Sequence, residues 1–293
     1  GSLGRAMLLE HDATERATVE GEALFLRAMT YFDMVRFYGG VPLRTAGVTN
    51  YGADLDIERA SADAIYAQVA SDLNDAYIKL PASNGEFADK YAAKALLARV
   101  HLQLGNYAEA LTAANDVLAN SGHSLASSFA GAFNNDSDSS EDIFAFQVTS
   151  QDGSNALVTH YAAMVFGGRG GDIVVDTYRS LFDSALDVRR GFFYISPDSG
   201  AICTYKYTNE YGNVPTLRIG EMHLIRAEAN FRLGSSTGLA PLTEINALRA
   251  RSGAPALTAL SLDLIFNERQ LELGFEGHIS VSYTHLTLPT NGT

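Results

Sequence analysis

The chain has 293 residues, 46% apolar and 19% charged, so it has ample material for a buried core. Its 34 acidic residues against 21 basic ones give a formal charge of -13, which repels nucleic acid and anionic membrane surfaces, and no stretch approaches the roughly 18 uninterrupted apolar residues of a membrane span. The single cysteine, Cys203, excludes an internal disulfide framework and a cysteine-rich metal site.

The first residues, GSLGRAMLLEHDAT, contain no initiator methionine, basic n-region or apolar signal core, so the chain reads either as cytosolic or as lacking its beginning. The stretch EALFLRAMTYFDMVRFYG (22–39) then predicts a helix, with Phe25, Met29, Phe32, Val35 and Arg36 at spacings of three and four. It should stop near Tyr38, because Gly39 or Gly40 can adopt the left-handed cap and Pro42 cannot donate to a continuing helix. A second helical run, ERASADAIYAQVASDLNDAYIKLP (58–81), follows. YAAKALLARVHLQLG (91–105) and NYAEALTAANDVLANSG (106–122) repeat the pattern, as do IGEMHLIRAEANFRLG (219–234) and APLTEINALRARSG (240–253). In the middle pair Gly105 and Asn106 read as C-terminal glycine and N-cap, and Ala92, Ala93, Ala95 and Ala98 permit close helix packing.

Each of these pairs resembles a tetratricopeptide repeat, but a strict array would space its copies at about 34 residues. The fold class expected is therefore mainly α: interrupted tetratricopeptide-like helical pairs bearing an irregular, loop-rich insert with short strands. Residues 1–123 form the scaffold with pairs one and two, 124–216 the insert, and 217–277 the third pair. The insert is marked by clusters of Gly, Asn, Asp and Ser, two strand-like runs, DIFAFQV and TYKYT, and many tyrosines. Long ordered loops on a rigid scaffold commonly carry function. From His278 to Thr293 the sequence has no Asp, Glu, Lys or Arg and follows no period, and VSYTHL resembles one reading frame of a sequencing adapter. Residues 278–293 are accordingly expected to be an artefactual tail outside the fold.

The chemical constellations point away from catalysis. Glu221 and Glu228 share a helix face, but Arg218 lies three residues before Glu221 and Arg232 four after Glu228, so both read as helical ion pairs, as do Arg27 and Arg36. FGGRGGD (166–172) lacks the Lys-Ser/Thr ending of a phosphate loop and reads as a turned loop. NNDSDSSED (134–142) lacks the glycine and final glutamate of an EF-hand and reads as a solvated loop. The histidines show no metal-ligand spacing and no G-x-S-x-G elbow is present, so no catalytic residue, metal site or cofactor is assigned.

EALFLRAMTYFDMVRFYGGVPL, AAKALLARVHLQLGNYAEALTAANDVL, LRIGEMHLIRAEANFRLG, INALRARSG and ERQLELGFEGH, in that order across residues 20 to 278, resemble the successive landmarks of the SusD/RagB family of outer-membrane nutrient-binding lipoproteins. The resemblance implies a tetratricopeptide-like scaffold with a ligand-binding lobe, lipid-tethered to the outer membrane and facing outward. It implies a SusC-type TonB-dependent transporter as partner and an oligosaccharide, or in some members a peptide, as ligand. Family members are commonly longer, begin with a lipoprotein signal ending in cysteine, and continue after the ELGFEGH landmark with Arg, aromatics and a DL pair. The chain is thus expected to be an internal fragment whose signal and lipid-anchor cysteine are missing, Cys203 lying too deep in the insert to serve. A helical-repeat scaffold that binds a protein on its concave face is the alternative from another class.

Ligand contacts are expected in the insert rather than on the periodic scaffold faces. Tyr161, Phe166, Arg169, Tyr205 and Tyr211 lie among glycines and polar residues, where the backbone can present them to solvent. Aromatic rings stack on the C–H faces of sugars, tyrosine hydroxyls hydrogen-bond, and the Arg169 fork suits hydroxyls or a uronic acid carboxylate. The absence of Trp weighs against a strong sugar platform, although Tyr can serve.

Overall fold

The aromatic stripe of residues 22–39 is the buried face of a longer helix, α1 (Ala13–Tyr38), in the computed structural model of the chain, which describes residues 13–47, 56–151, 153–170 and 176–278. Gly21, Phe25, Ala28, Phe32 and Val35 recur every three or four positions and are buried, and α1 packs on α2 (Ala62–Lys79) over Ile65, Val69, Leu73 and Ala76. A Cβ on Gly21 would lie 2.8 Å from Leu80 Cγ, so glycine is what lets the chain pass this close. One buried acid crosses the interface: Asp72 accepts from Arg27 Nε at 2.7 Å and Nη2 at 2.6 Å, the bidentate geometry that satisfies a carboxylate away from water. Arg36 pairs with Asp33 at 3.1 Å within its helix, as expected, whereas the Arg27 pair is made across the interface rather than along the helix.

The abrupt stop has a tertiary reason as well as a local one. Gly39 takes φ +68°, and a Cβ on Gly40 would sit 2.4 Å from the Ala60 carbonyl oxygen. The chain is thereby turned so that Ala60 N–H donates to Val41 O at 3.0 Å and Pro42 bridges to Arg59. α2 then begins under a Ser61 side-chain cap.

Helix α3 (Lys90–Gln103) carries the chain across Val100/His101, where the fold divides into two compact units. Ala92, Ala93, Ala95 and Ala98 are fully buried, as close-packing alanines should be. Gly105 has φ +75°, but Asn106 makes no side-chain cap; it turns to His101 Nδ1 at 3.5 Å, and α4 (Tyr107–Asn120) starts without it.

In the second unit α4 packs against α7 (Ile219–Leu233), against which α8 (Pro241–Arg251) and α9 (Leu262–Leu273) also pack. Leu224, Ala227, Ile245, Leu248, Ile265 and Leu273 form the shared core. Arg226 of α7 ties the layers by donating to Asn115 of α4 at 3.0 Å and to Glu244 of α8 at 2.6 Å. Residues between α4 and α7 therefore interrupt the sequence without interrupting the helix stack, and the fold is mainly α with a few short strands.

The intervening residues hold two short antiparallel pairs: β1 (Asp142–Phe146) with β4 (Val214–Arg218), and β2 (Phe193–Ile195) with β3 (Ile202–Thr204). The DIFAFQV run is a strand over its first five residues, whereas TYKYT contributes only Thr204, the chain turning from Tyr205 onward. β2 and β4 carry no alternation long enough to announce them. Helices α5 (Ala156–Tyr161) and α6 (Asp176–Arg179) complete this part.

The loop 134–142 is solvated in its middle, where Asp136, Ser137, Asp138 and Ser140 are exposed, but it is anchored at both ends. Asn134 adopts φ +61°, its side-chain oxygen accepts from the N–H groups of Thr208 and Asn209, and its Nδ2 donates to Tyr205 O. At the far end Glu141 and Asp142 are buried: Arg218 and Arg251 reach Glu141, and Asp142 Oδ2 accepts from Ser139 N–H at 2.7 Å.

Candidate functional site

The elements of the insert are held to α8 and α9 by a cluster of buried charges. Along α9 and the turn after it, Glu268, Glu272 and Glu276 recur every four residues, and their carboxyl side chains are turned inward. Arg189 grips Asp187 through Nη2 at 2.7 Å and reaches Glu268 Oε1 at 2.6 Å with Nη1. Arg218 donates to Glu276 Oε2 at 2.8 Å, Glu141 Oε2 at 2.6 Å and Glu272 Oε1 at 3.3 Å. Arg251 joins Glu141 and Glu272, and Arg249 joins Glu268 and Asp183. Lys206 Nζ donates to Glu276 Oε1 at 2.5 Å and to Glu272 O at 2.9 Å.

Burial alone would raise the Glu272 and Glu276 carboxyls. The surrounding cations outweigh it and hold both below the usual carboxylate range: Arg251, Arg218 and Arg189 at Glu272, and Arg218 and Lys206 at Glu276. Burial wins at Glu268, which is raised despite Arg189 and Arg249. It also wins at Asp142, pushed up to about 6, whose Oδ1 has no hydrogen-bond partner. This corrects one sequence-based pairing: Arg218 serves Glu141, Glu272 and Glu276 rather than Glu221, and Glu221 lies 3.5 Å from His278 Nδ1. The second pairing is as predicted, Arg232 Nε donating to Glu228 Oε1 at 2.9 Å. Of the tail expected from residue 278, only the buried His278 is described; the remainder lies outside the described residues.

Above this charged layer the five residues expected to contact ligand occupy neighbouring loops. Tyr161 ends α5, half-buried, with its ring 5.4 Å from Tyr207 and 6.2 Å from Phe275, in a cluster with Val158, Ala162 and Phe166. Phe166 is also half-buried and meets Tyr194 edge-on at 5.3 Å. Tyr205 lies 4.7 Å from the other side of this arrangement, again on Tyr194, and is 36% exposed. Arg169 is exposed, its N–H donating to Thr159 O at 3.1 Å. Tyr211, 40% exposed, follows Glu210, whose carbonyl accepts from Asn155 N–H and whose side chain covers Gly167.

The ring that joins Phe166 to Tyr205 is Tyr194, one of the insert's many tyrosines, which the sequence reading does not single out. Its hydroxyl accepts from Ala163 N–H at 2.9 Å, and burial raises its phenol above the ordinary value. The only advance signal was the FYI triplet of β2, where alternation sends Phe193 and Tyr194 to opposite faces. Gly168 explains the sharpness of the loop: a Cβ there would stand 1.9 Å from Ala162 O. Beneath the rings a cavity of about 10 Å³ is lined by Phe129, Tyr178, Arg189, Phe193, Lys206 and Phe275 among others, far too small for a sugar ring. Among the described residues no group of His, Cys, Asp and Glu could hold a metal ion, and no helix is long and apolar enough to cross a membrane.

Comparison with known proteins adds a family. A family model described as "Starch-binding associating with outer membrane" matches residues 7–102, and one described as "SusD family" matches residues 199–280. SusD-like protein P2 of Formosa agariphila is 24% identical over 335 aligned residues, covering 94% of this chain and 66% of that protein. SusD-like protein P38 of the same organism is 36% identical over 106 residues, covering 36% of this chain and 21% of that protein. The chain thus matches less than two thirds of the length of either relative. A solved structure, "Laminarin binding SusD-like protein", has the same fold at a TM-score of 0.79 and 23% identity, covering 92% of this chain and 70% of that one.

Proposed function

The chain belongs to the SusD family, and from that premise we propose that it is a non-catalytic binding protein that holds oligosaccharide on the aromatic surface of its insert. The protein would do so at the outside of the outer membrane, passing the glycan to a SusC-type TonB-dependent transporter. The observation that carries the reading is the row Phe166, Tyr194, Tyr205, three rings in successive contact with the outermost partly open to solvent. Such a row offers apolar faces for sugar C–H groups, while exposed Arg169 and the Tyr211 hydroxyl supply donors at its margin. Support also comes from a family description that names starch binding and outer-membrane association, and from a structural neighbour named for laminarin.

A peptide is the second reading. Met164, Val165 and Ile195 are exposed beside the row, Met164 N–H being bonded to Asp198 and Ile195 following Tyr194, and these apolar side chains suit peptide side chains better than sugar hydroxyls. Isothermal titration of the full chain against laminarin, amylose and a mixed tryptic peptide pool separates the two. Binding of a glucan that weakens in Tyr205→Ala and Tyr211→Ala supports the first reading. Binding of peptides alone supports the second, and undiminished glucan affinity in alanine variants at Tyr161, Phe166, Arg169, Tyr205 and Tyr211 puts the site elsewhere.

A further inference from the structure

The segment that presents Tyr205 is secured from below by a charged group the binding reading leaves unused. Tyr205 N–H donates to Phe192 O, and its carbonyl accepts from Asn134 Nδ2. The next residue, Lys206, points the opposite way and is buried. Its ammonium lies 4.6 Å from the Phe133 ring centroid and 5.2 Å from that of Phe129. Those two rings also pack on Phe192, and Phe192 lies 5.8 Å from Tyr205. A continuous path of contacts therefore leads from the ammonium, through Phe129 or Phe133 and Phe192, to the exposed ring.

We propose that the Lys206 ammonium is a positioning group for Tyr205, holding the outer ring in its binding orientation only while it carries charge, so that the surface binds ligand less well in alkaline solution. The affinity part rests on the glycan-binding reading above; the positioning part does not. With the charge in place, the ion pair to Glu276 and the attraction to the faces of Phe129 and Phe133 act together on one side chain. Without it both weaken, and the strap from Thr204 to Tyr207 loses its charged anchor while keeping its neutral hydrogen bonds, among them the Tyr207 hydroxyl donating to Phe275 O at 2.8 Å.

Burial lowers the Lys206 ammonium to about 8 against the pull of Glu276, so the charge is lost across a mild pH range. The groups that face it come from several elements: Glu272 and Glu276 of α9 and its following turn, Arg218 at the end of β4, Arg189 before β2, and Tyr178 of α6. The two carboxylates are held low, Arg218 and Arg189 are raised, and burial raises Tyr178, so none of these changes charge between pH 7 and 9.

The test replaces Tyr205 by 4-fluorophenylalanine, which reports ring environment and has no hydroxyl to titrate, in a Cys203→Ala background that removes the neighbouring thiol. The 19F resonance of the full chain should move between pH 7 and 9 with one midpoint near 8. In Lys206→Arg, which stays charged, it should keep its neutral-pH position through pH 9. In Lys206→Met it should take the alkaline position already at pH 7. A resonance that does not move with pH, or that moves equally in Lys206→Arg, overturns the proposal. Should Lys206→Met fail to fold by circular dichroism, the pH titration and the arginine variant still decide it. Affinity of the unlabelled chain for laminarin or amylose, whichever binds, should fall roughly 3- to 10-fold from pH 7 to 9, the range a loss of one stacked aromatic contact predicts, and should not fall in Lys206→Arg. Failure of both glucans to bind at either pH tells against the glycan reading, and the resonance then decides the Lys206 positioning by itself.

Discussion

Between α1 and α2 the buried carboxylate Asp72 stands among Phe25, Phe32, Ile65, Val69 and Leu73, whereas residues 124–218 meet α9 and the turn after it through Arg189, Lys206 and Arg218 set against Glu268, Glu272 and Glu276. The first contact is held by area. Apolar burial is non-directional and tolerates small shifts, and its geometry is fixed by where the periodic faces fall and by Gly21. The second is held by direction, since each guanidinium must meet its carboxylates at hydrogen-bond distance or leave a charge stranded. Two ways of holding chain together suit two tasks: helices need only stack, while loops without regular structure need individually placed bonds to present rings such as Tyr205 at one position.

The largest effects should come from breaking either kind of contact at its centre. Arg218→Ala leaves Glu141, Glu272 and Glu276 short of a partner in the interior and should cost about 3–5 kcal/mol by chemical denaturation of the full chain. Phe25→Ala, at a fully buried ring, should cost about the same, roughly 3–5 kcal/mol. The two differ in pH dependence. Glu272 and Glu276 are held below their ordinary values, so the stability they contribute is present above about pH 4.5 and is lost as pH falls through their folded values; Arg218→Ala should flatten that acid limb and Phe25→Ala should leave it intact. An Arg218→Ala cost below about 1 kcal/mol would show that the charged layer is not what holds the lobe.

Asp142 sharpens the comparison in the opposite direction. Its carboxyl is raised from 3.8 to about 6, so the folded state binds a proton more readily than the unfolded chain and this group's contribution declines as pH rises from about 4 to 6. Asp142→Asn should therefore stabilise the chain at pH 7 by up to about 3 kcal/mol, taking 1.36 kcal/mol per unit, and should remove that decline. Thermal melts at pH 4, 6 and 7.5 check it; equal stability of variant and parent at pH 7.5 would contradict it.

Smaller effects should separate the rings of the candidate surface. Tyr205→Ala and Tyr211→Ala, at exposed rings, should weaken glucan binding by about 0.5–1.5 kcal/mol each while changing stability little. Tyr161→Ala and Phe166→Ala remove rings packed with Val158, Ala162 and Tyr207, so a stability loss should accompany any loss of binding. Paired calorimetry and denaturation on the four variants reads both quantities. The smallest effect belongs to the surface pair Lys79–Glu20, with Glu20 60% exposed: Lys79→Ala should change stability by less than about 1 kcal/mol.

The amino-acid sequence by itself determined the helices, because a periodic apolar face and its stop signals are local. The stripe through Phe25, Phe32 and Val35, the left-handed glycines at 39 and 105, and the i,i+4 pair Glu228–Arg232 each rest on residues close together in sequence, and each has its predicted role. It also marked the insert as the irregular part, since Gly, Asn and Ser clusters cannot sustain a helix. Tertiary structure alone decided what those loops do. Glu141 lies 77 residues from Arg218 and 110 from Arg251, and no spacing rule connects residues that far apart, so the end of a segment that composition assigns to solvent became part of the interior. Position decided the rings in the same way, since no local spacing distinguishes Tyr161, Phe166, Tyr194 and Tyr205. How far each is covered depends on neighbours from other parts of the chain, as Phe275 and Tyr207 half-cover Tyr161, because burial is a property of the neighbours a fold brings and not of the residue that is covered.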